Sequence, residues 1–196
     1  SMMAHSSVDP LWRAVMAVEV AATPSRKSEI ESKCLRCHTP MASIEAATHN
    51  LSSSSKEFLH RDSELSKLAA DGVSCTVCHQ ISPEALETDE RFSGHFKIAN
   101  DRKIYGPHKH PFFMPMNHHT EYTATHSDHV LESALCASCH TLFTEALTTD
   151  GNPTGHMLLE QGPYVEWQKS KFGTEFAAPA EGAASCQDCH VPKTDL

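Results

Sequence analysis

The chain has 196 residues and is acidic, with a formal net charge of -9 at pH 7. This balance argues against a nucleic-acid partner, because phosphate contacts need clustered Lys and Arg. No apolar run is long enough to cross a bilayer, and the opening "SMMAHSSVDPLW" lacks the basic start and apolar stretch of a secretory signal. We therefore expect a mature chain or a piece of a longer one, with no evident membrane association.

The first third of the chain is predicted to be helical. Asp9 and Pro10 are typical of a helix start, and apolar residues at helical spacing continue to Pro24. Three further segments follow: a helix that begins within 28–33 and carries the first cysteine pair, a loop at 50–55, and a helix at 56–71 that ends at Gly72.

The remainder has longer irregular stretches, because glycine and proline interrupt the pattern. No segment has a convincing strand pattern. The expected elements are an irregular region at 81–120, a helix from Ser127 through 140, a loop at 148–162, a helix from Pro163 with Tyr164, Trp167 and Lys171 on one side, and a flexible segment at 176–185. The sequence predicts one domain over residues 1–196, mostly α with long loops.

The eight cysteines form four C-x-x-C pairs, and each pair is followed at once by histidine. This pattern is the attachment signature of c-type haem, in which two thiols bond to one haem and the histidine binds its iron from one side. The predicted haem-binding cysteines are Cys34, Cys37, Cys75, Cys78, Cys136, Cys139, Cys186 and Cys189, and the proximal iron ligands are His38, His79, His140 and His190.

Four haems in so short a chain would form much of its core. Hydrophobic residues make up only 39% of the sequence, and the large apolar faces of haem would replace the missing aliphatic burial. The haems would also lie close to one another. The chain between the motifs would form long loops that wrap around them. The expected cofactors are therefore four haem c groups with iron.

Other uses of paired cysteines are less consistent with this pattern. Two C-x-x-C pairs can form a four-thiolate zinc site, but such a site does not require a histidine after each pair. A thioredoxin-like redox pair needs a βαβ context, which the sequence lacks. Disulfides between neighbouring pairs would leave the four histidines unexplained.

Eleven histidines lie outside the motifs, and some should bind iron from the distal side. His129 precedes His140 by eleven residues; on a continuous helix the two share a face about 16 Å apart. They would then bind different irons, or His129 would bind none. His119, with its neighbour His118 as an alternative, His60 and His5 are the other distal candidates. The alternative for each of these histidines is a position on the surface or a contact with a haem propionate. A methionine is the other possible axial ligand.

Several segments resemble a family of bacterial multihaem c-type cytochromes: "CLRCHTPMA", "DGVSCTVCHQI", "YGP", "HVLESALCASCHTLFT", "EQGPYVEWQKSKF" and "SCQDCHVP". The resemblance covers nearly the whole chain and is to tetrahaem cytochromes of nitrifiers and to the octahaem tetrathionate reductase and hydroxylamine oxidoreductase lineage. It implies a mostly helical fold, haems in stacked and perpendicular pairs, and an extracytoplasmic location, either periplasmic or extracellular. It also implies that His129 binds the iron of a neighbouring haem.

Two functions are consistent with these features. In the first, four six-coordinate haems pass electrons between redox partner proteins, and the polypeptide sets their spacing and potentials. In the second, one haem keeps an open axial position and acts on a small nitrogen or sulfur compound, with acid–base groups from "YGPHKHPFFMPMNHH". The many spare histidines favour electron transfer over the enzyme.

Overall fold

The computed structural model describes residues 2–60, 62–84, 86, 88–175 and 178–191. Helices predominate in this part of the chain, as the sequence predicts. The α-helices are Pro10–Ala22 (α1), Lys27–His38 (α2), Pro40–Thr48 (α3), Ser55–Leu59 (α4), Glu64–Ala70 (α5), Cys75–Gln80 (α6), Met114–Thr120 (α7), Ala134–Ala137 (α8), Pro163–Lys169 (α9) and Cys186–His190 (α10).

Short strands accompany these helices, contrary to the expectation of no strand. They are Lys103–Gly106 (β1), Thr123–His126 (β2), Leu142–Leu147 (β3) and Pro153–Gln161 (β4). The chain divides into two compact units, one formed by the residues up to Val77 with Glu145–His156, the other by Cys78–Thr144 with the residues from Met157 onward. The expectation of a single tetrahaem cytochrome c domain over residues 1–196 stays a prediction.

The first unit begins with helix α1, whose start is fixed as the sequence predicts. The Asp9 carboxylate accepts hydrogen bonds from the amides of Leu11 and Trp12, and Pro10 occupies the first helical position. Helices α2 to α5 supply a small core of Leu35, Ala42, Ala46, Phe58 and Ala69. Three of these five fully buried residues are alanine, and the partly buried Trp12, Leu59, Leu65 and Leu68 pack against them.

The prediction of a single helix at 56–71 is wrong, because this segment forms two helices, α4 and α5. Ser63 separates them, because its hydroxyl accepts the amide of Ser66 while Ser66 Oγ accepts the amide of Ser63. This reciprocal capping begins a new helix in the middle of an apolar pattern that continues across the break. Gly72 follows α5 with a φ of 57°, the left-handed conformation expected after a helix end.

The second unit contains a short parallel sheet in the region expected to be irregular. Strands β1 and β2 pair in register from Lys103 with Thr123 to Gly106 with His126, and α7 lies in the connection between them. Such a crossover is the usual way to join parallel strands. The sheet presents the Tyr105 carbonyl to the second cysteine motif.

Two other predictions in this half of the sequence are wrong. The continuous helix from Ser127 through 140 is a 3-10 turn at Asp128–Leu131 followed by the separate helix α8, because Glu132 has extended backbone. The loop predicted at 148–162 contains strand β4, which pairs with β3. Every residue of β4 is exposed, so no alternation of apolar and polar residues signals it.

Helix α9 begins at Pro163, as predicted. Tyr164 and Trp167 stack on one side of it, with ring centroids 5.6 Å apart, and Trp167 Nε1 donates to the Ala184 carbonyl at 2.8 Å. Tyr164 also joins Phe92 and Ala137 in the core of this unit. The segment predicted to be flexible is described only from 178 onward; residues 176–177 lie outside the described part.

Candidate haem attachment motifs

The first motif lies at the end of α2, and its histidine is held from two directions. His38 Nδ1 lies 3.1 Å from the Ser6 carbonyl oxygen, and since a carbonyl only accepts, Nδ1 is the protonated nitrogen. The Ser6 hydroxyl in turn donates to the His38 carbonyl at 2.9 Å. Trp12 stacks flat on the ring, with centroids 4.2 Å apart and planes within 6°. The other nitrogen, Nε2, therefore carries the lone pair that a metal needs.

The second motif, on α6, has the same arrangement. His79 Nδ1 donates to the Tyr105 carbonyl of strand β1 at 2.5 Å, which again leaves the lone pair on Nε2. Metal-binding histidines commonly donate their second ring nitrogen to a carbonyl in this way, which fixes ring orientation and raises the basicity of the ligand. The sequence does not predict Tyr105 as a partner, because a backbone carbonyl has no residue signature.

The third and fourth motifs lie side by side in the second unit. The thiols of Cys136 and Cys186 are hydrogen-bonded to each other. The Cys186 amide donates to Ser133 Oγ at 2.9 Å, and Gln187 Nε2 donates to the Glu132 carbonyl at 2.7 Å. The start of α10 is thus tied to the residues that immediately precede α8.

This contact separates the acidities of the two thiols. The hydrogen bond from Cys136 lowers the pKa of the Cys186 thiol to about 6. The same bond, together with burial, raises the pKa of Cys136. Cys186 is therefore the more acidic thiol of the pair. A thiolate is the reactive form of cysteine.

The histidines of these two motifs are also neighbours. His140 is exposed on one side, but the protein atoms around its ring and the nearby His190 lower its pKa. A lowered pKa keeps the imidazole neutral, which is the form that binds metal. Cys78 of the second motif lies within electrostatic range of Cys136, so residues from three motifs gather in this unit.

A buried polar network supports the third motif. Arg91, 2% exposed, donates to the carbonyl oxygens of Leu86 and Thr88 and to the Tyr164 hydroxyl. That hydroxyl donates to Glu175 Oε2 at 2.7 Å. Glu175 Oε1 then accepts the amide of Ala134, the first residue of α8, at 3.0 Å. No local sequence pattern predicts this network, since its members are far apart along the chain.

His129, the first distal candidate, is buried with both ring nitrogens engaged. Its Nε2 donates to the Ile81 carbonyl at 2.9 Å, and its Nδ1 lies 2.7 Å from Ser127 Oγ. Burial lowers the pKa of His129 more than the Ile81 bond raises it, so the ring is neutral. It packs edge-on against Tyr105, near His79 of the second motif. His129 would bind iron only after releasing the Ile81 carbonyl.

The other distal candidates are exposed. His119 lies on α7, its ring edge-to-face with that of His118 at 5.1 Å. His60 ends α4, and His5 lies in the 3-10 turn at Met3–His5. Among the described hydrogen bonds, none joins the ring of His60 or His119 to a residue of an attachment motif.

The residues around the motifs fit a haem. None of the eight cysteines forms a disulfide. Ser138 Oγ and Thr141 Oγ1, which flank Cys139 and His140, are buried without a hydrogen-bond partner in the described part of the chain. A bound group with acceptor oxygens, such as the propionates of haem, would satisfy them. Within the described ranges, no group of three Cys, His, Asp or Glu side chains is placed to hold one metal ion.

Comparisons with known proteins give no match for this chain, whether with family models, curated proteins or solved structures. Among the described residues, no helix is both long and apolar enough to cross a membrane.

Proposed function

We propose that this chain is an extracytoplasmic electron-transfer protein that carries four covalently attached c-type haems. The thiols of the four C-x-x-C-H motifs hold the haems, and His38, His79, His140 and His190 bind the irons from the proximal side. The haems fill the core between helices and wrapping loops, which is consistent with the small, alanine-rich core of the first unit. The partners are redox proteins that donate and accept electrons.

The observation that carries this proposal is the contact between the third and fourth motifs. Because the Cys136 and Cys186 thiols are hydrogen-bonded to each other, haems attached to the third and fourth motifs would be held at neighbouring positions. His190 is also close enough to His140 to lower its pKa. Closely spaced haems exchange electrons, so this arrangement supports a conducting pair.

The contribution of the polypeptide is to orient ligands and to set local polarity. Bound haem supplies an iron that cycles between the ferric and ferrous states. The carbonyls of Ser6 and Tyr105 hold the Nδ1 proton of His38 and His79, which directs Nε2 towards the metal. The Glu175 carboxylate acts on the thiols of both Cys136 and Cys186, and a nearby negative charge would favour the oxidised state of a haem held there.

Distal ligation is assigned to histidines outside the motifs. His119, His60 and His5 have exposed rings in the described structure, whereas His129 has to exchange its Ile81 bond for iron. A bis-histidine haem leaves no open position, which suits electron transfer. The segment that the enzyme alternative relies on is exposed at His108, His110, His118 and His119, and no described contact gives it a substrate cleft.

Optical and EPR spectra of the purified protein test the proposal. In the ferric state all four haems should be low-spin, and the ferrous protein should bind no CO. The haems should be reduced in successive steps, and adding a small nitrogen or sulfur compound should not change the spectra. A high-spin haem that binds CO or nitrite would contradict the simple carrier and favour the enzyme alternative.

A further inference from the structure

His95 is a histidine outside the motifs whose ring is set up like those of His38 and His79. Its Nδ1 lies 2.7 Å from the Phe92 carbonyl oxygen, so Nδ1 carries the proton and Nε2 the lone pair. The ring is exposed, and Nε2 has no hydrogen-bond partner among the described residues. This is the tautomer and the orientation that a metal-binding imidazole needs.

The loop that carries His95 is bonded directly to the third motif. The Gly94 amide donates to the Ser138 carbonyl at 2.6 Å, and the Ser93 amide donates to the Thr141 carbonyl at 2.8 Å. These two acceptors flank Cys139 and His140. The loop is therefore fixed against the motif by two main-chain hydrogen bonds in succession.

The backbone of this loop adopts an unfavourable conformation to make these bonds. Ser93 and Gly94 both have left-handed backbone, with φ of 59° and 80°. A residue other than glycine is disfavoured in this region, because its Cβ comes too close to the following carbonyl oxygen. Strain of this kind persists only where surrounding contacts hold it, and it is concentrated at functional sites.

The same loop is also tied to the second motif. Three residues after His95, Ile98 forms a β-bridge with Ile81, and the Ser82 amide donates to the Lys97 carbonyl at 2.8 Å. Ile81 follows His79 by two residues. His95 thus lies on a short segment that is anchored to the second motif at one end and the third motif at the other.

We propose that His95 is a distal axial ligand to the iron of a haem next to the third one. The loop contacts the backbone of the third motif, which lies on the His140 side of the haem attached there. A side chain on that side cannot reach the opposite face of the same haem, so His95 serves the iron of a neighbour. This inference rests on the proposed function, since it requires covalent haem.

The test compares the haem-loaded protein with two single variants. The His95→Ala variant should retain four haems. Compared with the wild type, one additional haem of the four should be high-spin in the ferric state and bind CO in the ferrous state. Added imidazole should restore the low-spin spectrum. His49→Ala is the matched control, because the exposed His49 ring also contacts a carbonyl, that of Glu45 at 3.0 Å, just after the end of α3. It should leave the spectrum unchanged.

A second variant covers the case in which His95→Ala fails to load haem. His95→Met should keep four low-spin haems and raise the potential of one of them, because methionine ligation raises potential relative to bis-histidine. A His95→Ala, His140→Ala double variant should alter two haems; alteration of only one would overturn the assignment to a neighbouring iron.

The outcomes separate this inference from the proposed function. If His95→Ala carries four haems with the spin state and CO stoichiometry of the wild type, or if His95→Met leaves every potential unchanged, His95 is not a ligand although the carrier proposal stands. If the wild type carries no covalent haem, both proposals fall together.

Discussion

Replacing Tyr164 with phenylalanine tests the buried network beside the third motif. The change removes one oxygen from a side chain that is 1% exposed and leaves the ring in place. That oxygen accepts from Arg91 Nη2 at 3.1 Å and donates to Glu175 at 2.7 Å. Both partners are charged, so each bond belongs to the stronger class of hydrogen bonds.

The expected loss of stability follows from these two bonds. A hydrogen bond to a charged group contributes about 1.5–3 kcal/mol, and the two share one hydroxyl, so their effects are not additive. Arg91 also keeps its bonds to the carbonyls of Leu86 and Thr88. We therefore expect Tyr164→Phe to lower the free energy of unfolding by about 2–3 kcal/mol.

Urea unfolding followed by circular dichroism measures this difference. Tyr122→Phe is the matched control, since Tyr122 is only partly buried and its hydroxyl has no described partner; it should change stability by less than about 0.5 kcal/mol. If Tyr164→Phe were equally small, the network would not hold α8 in place and the reasoning would be refuted.

The same network has a predicted dependence on pH. Burial and the bond to Glu175 raise the pKa of the Tyr164 hydroxyl above its ordinary value. A group whose pKa is raised by folding contributes its full stabilisation below its ordinary pKa, which is about 10 for tyrosine. That contribution is lost as the pH rises towards the pKa of the group in the folded protein. The stability difference between wild type and Tyr164→Phe should therefore shrink above about pH 10.

Three further predictions follow from local geometry. Gly72→Ala should destabilise by about 2 kcal/mol or more, because φ is 57° and the new Cβ would lie 2.6 Å from a backbone carbonyl oxygen. Gly155→Ala, which has φ of 76° and open space, should cost less. Ser63→Ala should cost about 1 kcal/mol through the lost cap. In the haem-free chain, alkylation of Cys186 should have a midpoint near pH 6, and Cys136→Ala should move it towards about 8.5.

Each of these has a clear contrary result. Equal losses for the two glycine variants in thermal or urea unfolding would mean that the carbonyl contact is absent. An unchanged unfolding midpoint for Ser63→Ala would mean that helices α4 and α5 are continuous. An alkylation profile for Cys186 that ignores Cys136 would mean that the third and fourth motifs are not in contact.

The sequence predicts the elements whose signals are local. Asp9 with Pro10, and Pro163 with its stacked aromatic residues, mark helices that the structure confirms. The break at Ser63 was missed because a serine at the third helical position is a weaker capping signal than glutamate. Strand β4 was missed because it is exposed on both faces and has no alternation.

The helix predicted from Ser127 through 140 fails for a tertiary reason. The chain turns at Glu132, and Ser133 then accepts the amide of Cys186, 53 residues away. No local pattern encodes such a contact. Similarly, the carbonyls of Ser6 and Tyr105 orient motif histidines through backbone atoms, which any residue could supply. The motifs are readable from spacing, whereas their partners are set by the fold.

The most direct test of the account is the mass of the mature protein from a host that attaches haem, measured under denaturing conditions. The account predicts the 21.6 kDa polypeptide plus four covalently bound haems, with a positive haem stain. A mass equal to that of the bare polypeptide, with no stain, would contradict it.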